Sequence, residues 1–363
     1  MLTKWETLFL LIMTLPIMGH VVILPLMLDV AGRDSWISIL ISLPVAFLIA
    51  IAIYRLRVKY PKGEISDIFR SILGKFFGTV LTIVFIFYFL FLTIFSFVLV
   101  IDFIYISFLP ETPRWALMVW FLIAFVYAAI KGIKRIALTA GILSIIAMIS
   151  GHTVTFLDTR MKEWSQLLPM FEFGIEPIIW GALLLISIWN ELLLLLCVPI
   201  QNIREKGMFL LWSIGILLNA LMMFSTMTGS ITIFGLGQAD NFIYPALEAV
   251  RIVSLGFVDR FDIYGLLLMA LGSYIRCSLY FRIAYDLTTT KITSKWGKGS
   301  WFTGFVLVVF FSTFYLSSDY FRIEQLYAIY AYMIILLPIP FILLSIHSFK
   351  KRSTRKNEVR QKG

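Results

Sequence analysis

A chain of 363 residues with 60% hydrophobic content, only 14% charge and a mean hydropathy of +0.92 is too apolar for a string of soluble domains, and reads as a polytopic membrane protein. The net charge of +10 does not point to nucleic acid, because the basic residues are scattered through short stretches beside apolar segments. Apolar runs of about twenty residues exclude an outer-membrane barrel, whose strands would alternate at every second residue.

Ten segments stand out in chain order, at 5–28, 36–56, 79–109, 115–130, 134–157, 178–200, 208–236, 262–289, 301–317 and 326–348. Each can span about 30 Å of hydrocarbon. The first contains Pro16, Gly19, His20 and Pro25 where unbroken apolar sequence would be usual. A membrane helix tolerates such a break only where protein or a water-filled cavity meets the freed backbone groups. Lys4 precedes a segment with no small-residue cleavage site, so it reads as a retained helix rather than a removed signal peptide.

With the N-terminus placed in the cytoplasm, the inner connections and the tail carry 22 Lys and Arg and the outer ones 7. That asymmetry places both ends of the chain inside. The long outer connections, 158–177 and 237–261, leave room for short outer helices but for no soluble domain. The basic tail, 349–363, reads as a flank that stops transfer and lies against anionic lipid.

Ten segments divide into five plus five, and because five is odd the halves are inverted in the membrane. The half-repeats are 5–157 and 178–348, so the sixth segment corresponds to the first. It too is interrupted, by Ser187, Asn190 and Glu191. The third and eighth segments also correspond; both are long, which fits a tilted path. Paired interruptions in the first helix of each half point to a ligand site near the midplane.

The intramembrane polar residues set the candidates. Glu191 is deep in the sixth segment and must be either neutral, hence proton-linked, or partnered. Arg276, near the centre of the eighth segment after Ser273, must point into the bundle toward a carboxylate. Glu191 is its first candidate partner and a bound carboxylate ligand the second. Gly19 and His20 read either as a packing kink or as one wall of the site, and the second interruption favours the site. Ser187 reads equally as packing or contact, while Tyr88 shares a helical face with Leu92, Ser96 and Leu99. Asp102 lies nearer an outer end and His152 reads as structural. Arg282 and Asp286 have the spacing of an interfacial ion pair.

Cys197 and Cys277 match no zinc or disulfide spacing and read as packing residues. No Gly-rich phosphate loop, His-Glu metal motif or nucleophile elbow occurs, so no cofactor, metal or enzyme activity is expected.

Several motifs together resemble the spore germination permease family, the B subunits of nutrient germinant receptors. They are the run from Gly19 and His20 to Pro25, the run Ala31 to Trp36, the pair Tyr60 and Pro61, and the stretch Leu168 to Pro177. The resemblance continues through Asn190 and Glu191 to Pro199, through Tyr244 to Arg251, through Phe257 to Asp262, and into the Arg276 segment. It implies a ten-helix amino-acid/polyamine/organocation transporter fold of the LeuT type, in the inner membrane of a bacterial endospore. The partners it implies are a small nutrient, an A-type subunit and a lipoprotein C-type subunit. Two positions depart from the family pattern. Asn190 stands where a glycine usually precedes the glutamate, and Met18, Gly19 and His20 replace a Gly-Ala-Gly break.

Three functions fit these features. The first is a receptor subunit that binds a nutrient, in particular an amino acid, between the first, third, sixth and eighth helices. The second is a proton-coupled amino-acid permease with Glu191 as proton carrier. The third is a channel.

Overall fold

The computed structural model of the protein describes residues 1–15, 21–61, 63–253 and 261–362. They form an all-helical bundle in which nine helical stretches among the described residues are long and apolar enough to cross a membrane. The first expected segment is represented by α1 (Lys4–Thr14) and α2 (Leu24–Ala31), on either side of 16–20. α1 starts on a capping box, in which the Thr3 hydroxyl accepts from the Glu6 amide and Glu6 accepts from the Thr3 amide. Gly32, at φ 54° and ψ −136°, turns the chain from α2 into α3 (Ser35–Lys59), a backbone conformation open to glycine but strained for other residues.

The connection after α3 folds into α4 (Ile65–Leu73), a helix the segment list does not foresee because it is too short to span and polar on one side. Then come α5 (Lys75–Ser107), α6 (Arg114–Lys131) and α7 (Ile133–Leu157). The second half contains α8 (Glu176–Trp189), α9 (Leu194–Cys197), α10 (Met208–Phe234), α11 (Leu236–Ala239), α12 (Pro245–Arg251) and α13 (Asp262–Thr289). It ends with α14 (Lys295–Leu316), α15 (Tyr320–Tyr332) and α16 (Ile339–Lys362). Of the two connections expected to hold short helices, 237–261 contains α12 and the end of α11, while 158–177 holds 3-10 turns at Asp158–Met161 and Trp164–Leu167.

α5, α8 with α9, and α13 form the middle of the bundle. α5 is apolar all round, and Phe85, Phe89, Phe95, Phe97 and Phe103 are all buried. The helices α6 and α14 turn Trp120, Ile123, Tyr127, Leu307, Phe311 and Phe314 outward, as lipid-facing helices do. Lipid tails supply no hydrophobic drive for helix association, so close approach at small residues matters more. Gly181 of α8 supplies one such approach, against Ser38, Met27 and Ala31.

Polar clamps tie the ends together. Arg33 pairs with Glu172 at 3.1 Å and donates to the Gln166 and Leu168 carbonyls, while Asp34 accepts from the Phe171 amide at 2.8 Å. Asp102 is buried between Arg114, at 3.3 Å, and the Tyr244 hydroxyl, at 3.1 Å. At the opposite end Tyr60 meets His347 Nδ1 at 2.7 Å. There the chain start also pairs with the strand-like stretch after α9. The Leu2 amide donates to the Pro199 carbonyl at 2.7 Å, and the Gln201 amide donates to the Leu2 carbonyl at 2.9 Å.

The α4–α5 corner depends on Gly78, because a Cβ there would stand 2.5 Å from the Arg70 backbone. Gly78→Leu is expected to push α4 off α5 and destabilise the bundle by about 1–3 kcal/mol, as overpacking does. Gly304→Leu, whose Cβ would meet nothing within 4 Å, should leave stability nearly unchanged. Thermal unfolding of the two variants in detergent checks the contrast.

Candidate functional site

The sixth expected segment was anticipated as a broken helix. Instead the backbone stays helical and tightens: α8 passes into a 3-10 turn over Asn190–Leu193 and then into α9. α15 tightens in the same way, into a 3-10 turn over Met333–Leu336 just before Pro338, which cannot donate a helical hydrogen bond. The two tightened regions face each other. Ser187 Oγ donates to the Ala331 carbonyl and Asn190 Nδ2 to the Met333 carbonyl, each at 2.9 Å. Each bond supplies a donor to a carbonyl at the end of α15, where the regular helical ladder stops.

This turn carries Glu191 into the centre. Arg276 of α13 grips it with both ends of the guanidinium, Nη1 to Oε2 at 2.6 Å and Nη2 to Oε1 at 2.9 Å. Tyr280, one turn along α13, donates its hydroxyl to Oε2, and Tyr330 of α15 donates to Oε1 at 2.7 Å. Arg276 also donates from Nε to Ser96 Oγ at 3.0 Å and from Nη1 to the Thr14 carbonyl at the end of α1. Ser96 in turn donates to the Leu92 carbonyl at 2.7 Å. Glu191 and Arg276 are both completely buried. A dehydrated ion pair persists only when its remaining donors and acceptors are also met, and here four donors converge on one carboxylate. The forked geometry suits arginine and would not suit lysine. Of the two states open to Glu191 in the sequence, the geometry is the partnered one.

The partner anticipated for Arg276 is therefore the one it has. Other anticipated residues lie differently. Gly19 and His20 fall outside the described residues. Ser187 and Asn190 turn their donors to α15 and away from the ion pair. Ser273 is buried one turn before Arg276, with Met269 sulfur at 4.0 Å as its contact. Tyr88 is buried, and its hydroxyl, like Asn190 Oδ1, has no hydrogen-bond partner among the described residues.

Tyr280, Tyr330, Ser96 and the Thr14 carbonyl were not anticipated as parts of the site. Tyr280 could have been found, since it shares a helix face with Arg276. Ser96 shares a face with Tyr88. Tyr330 carries no such signal, being one of several tyrosines in α15. Elsewhere, Arg282 and Asp286 form the i,i+4 pair at 2.9 Å, and His152 Nδ1 lies 2.8 Å from the Met148 carbonyl of its own helix.

A helical membrane bundle whose centre is a dehydrated ion pair joining several helices defines a polytopic membrane protein built around a polar core. The chain belongs to the spore germination protein family, whose sequence pattern matches residues 1–322. It is 32% identical over 287 residues to spore germination protein XB of Bacillus anthracis, covering 76% of this chain and 78% of that one. It is 21% identical over 278 residues to spore germination protein KB of Bacillus subtilis, covering 74% and 73%. With YndE of Bacillus subtilis it shares 30% identity over 149 residues, or 41% of each chain.

Removing one member of the buried pair leaves an uncompensated charge. Arg276→Met alone and Glu191→Leu alone are each expected to cost about 3–5 kcal/mol. The double variant should lose much less than their sum, and Tyr330→Phe about 1.5–3 kcal/mol, as loss of a hydrogen bond to a charged group does. A double-mutant cycle on unfolding of the purified protein tests this, and additive losses would mean the pair does not act as a unit.

Proposed function

We propose that the protein is the membrane-embedded B subunit of a nutrient germinant receptor, acting with an A-type subunit and a lipoprotein C-type subunit in the spore inner membrane. The family membership supports the role in germination. The buried Glu191–Arg276 pair is the single observation that carries the assignment of the site, because so costly an arrangement at the centre of a membrane bundle is more often functional than structural.

The ligand is a small nutrient, in particular an amino acid. It binds near the midplane, between the helices that carry Gly19, Tyr88, Glu191 and Arg276. Backbone amides at the Gly19 interruption meet its carboxylate, since the ends of interrupted helices carry partial positive charge there. The Tyr88 hydroxyl and Asn190 Oδ1, which have no partner among the described residues, supply further contacts. His20, Ser187 and Ser273 complete the candidate set, the two serines on condition that their present contacts open. The architecture is a LeuT-type pair of inverted half-repeats, 5–157 and 178–348, followed by a basic tail at 349–363, with both termini cytoplasmic.

Binding favours one conformation by its differential affinity for it. A ligand carboxylate that drew Arg276 away from Glu191 would also release the Thr14 carbonyl, so occupancy and the packing of α1 change together.

Glu191→Gln and Gly19→Leu are expected to raise the nutrient concentration for half-maximal germination by about tenfold or more, equivalent to at least 1.4 kcal/mol, while the receptor complex still assembles. Spore germination dose–response curves test this, and unchanged curves for both variants would remove the site assignment. A second reading, a proton-coupled amino-acid permease, rests on the carboxylate of Glu191 inside a spanning helix. It predicts pH-driven accumulation of labelled amino acid in proteoliposomes that contain this chain alone.

A further inference from the structure

The end of the bundle that holds the chain start contains a second buried cation, in which none of the residues above takes part. Arg57, near the end of α3, is buried, at 3% exposure. Its guanidinium has no carboxylate within ion-pair distance among the described residues. Nη2 donates to the Val198 carbonyl at 3.1 Å, and Nη1 to the Gly63 and Leu196 carbonyls, both at 3.4 Å. Nε is buried with no partner among the described residues, and so is the hydroxyl of Ser66.

Both residues line one cavity of about 510 Å³, whose wall is shared by polar and apolar groups including Cys197, Thr289 and Lys298. The acids on that wall are Glu64, which is exposed, and Asp286, which is held by Arg282.

Capping of α9 explains part of this arrangement. A cation beside the last carbonyls of a helix is favourable, and Leu196 and Val198 lie at that end. It leaves Nε and Ser66 Oγ unexplained. Both can donate, both are buried, and both border the same space. Ile65 and Ser66 are also the first two residues of α4, so their amides have no carbonyl within the helix to pair with. A buried guanidinium without a counter-charge is costly, and an acceptor that presents two oxygens, as a carboxylate or phosphate does, is what its fork matches.

We propose that this cavity is a binding site for a small oxyanion, a carboxylate or a phosphate, held by the Arg57 guanidinium, the Ser66 hydroxyl and the first amides of α4. The anion comes either from a free solute or from the headgroup of an anionic lipid. The site is separate from the nutrient site and does not depend on that assignment.

The test is thermal unfolding of the purified full-length chain, followed by tryptophan fluorescence. Sodium glutamate and inorganic phosphate are titrated against sodium chloride at matched ionic strength. A parallel series compares nanodiscs of neutral lipid with nanodiscs containing phosphatidylglycerol. The unfolding midpoint of the wild type should rise saturably with a probe, since a ligand that binds only the folded state stabilises it. In Arg57→Gln the half-saturating concentration should increase by about tenfold or more, and in Ser66→Ala by about threefold to tenfold, as loss of charged and neutral donors implies.

A response to soluble anions in neutral surroundings identifies a free solute. A response confined to phosphatidylglycerol, and lost in Arg57→Gln, identifies the lipid headgroup. Equal responses in the wild type and both variants would reveal only a general effect of salts on burial and overturn the proposal. Absence of any response in every series would overturn it as well. Should Arg57→Gln fail to fold, Ser66→Ala decides, and an unchanged half-saturation there counts against the site.

Discussion

A charge taken out of water must be met on every side, and in this protein that requirement is concentrated on Glu191 and Arg276. Their partners come from α1, α5, α13, α15 and the 3-10 turn after α8, so the pair can exist only when these elements are assembled together. Packing in lipid supplies no hydrophobic drive between helices. The polar centre therefore does more than tolerate its position, since it specifies which helices meet and at what height. Tyr88 Oη and Asn190 Oδ1 are buried polar atoms with no hydrogen-bond partner among the described residues, so that specification leaves them unmet there.

The two tightened turns follow from the same constraint. Regular helical pairing cannot continue through Asn190–Leu193 and Met333–Leu336, and carbonyls left without amide partners need donors of another kind. Ser187 and Asn190 supply them across the α8–α15 contact. A glycine at position 190 could not do this. The asparagine thus has a structural reason, and it couples the shape of α15 to the turn that holds Glu191.

Much of the architecture was legible because membrane helices announce themselves by length and apolarity, and the segment boundaries fall within a few residues of most helices. The pairing of Glu191 with Arg276 was legible for a related reason, that a deep arginine has few permitted partners. What was not legible depends on three-dimensional convergence. α4 is too short and too polar to be noticed by span length. Tyr330 looks like its neighbours until α15 is packed. The form of the sixth helix could not be read either, because polar residues mark a departure from regularity without saying whether the backbone unwinds or tightens. Parts of the stretches that carry the family resemblance serve as clamps: Arg33 and Asp34 hold the stretch around Phe171, and Tyr244 holds Asp102 of α5.

The pairing of Leu2 with Pro199 and Gln201 has a consequence for biosynthesis. α1 leaves the ribosome well before the groups that complete it are made. Thr7 accepts from Trp212, the Leu11 carbonyl from Asn219, and the Thr14 carbonyl from Arg276, across separations of 205, 208 and 262 residues. α7 comes earlier, with Lys134 pairing to Glu6 and Gly141 packing on Phe9. α1 is thus inserted long before it is finished, and the nascent chain must hold an incomplete helix in the membrane until α10 and α13 have been translated.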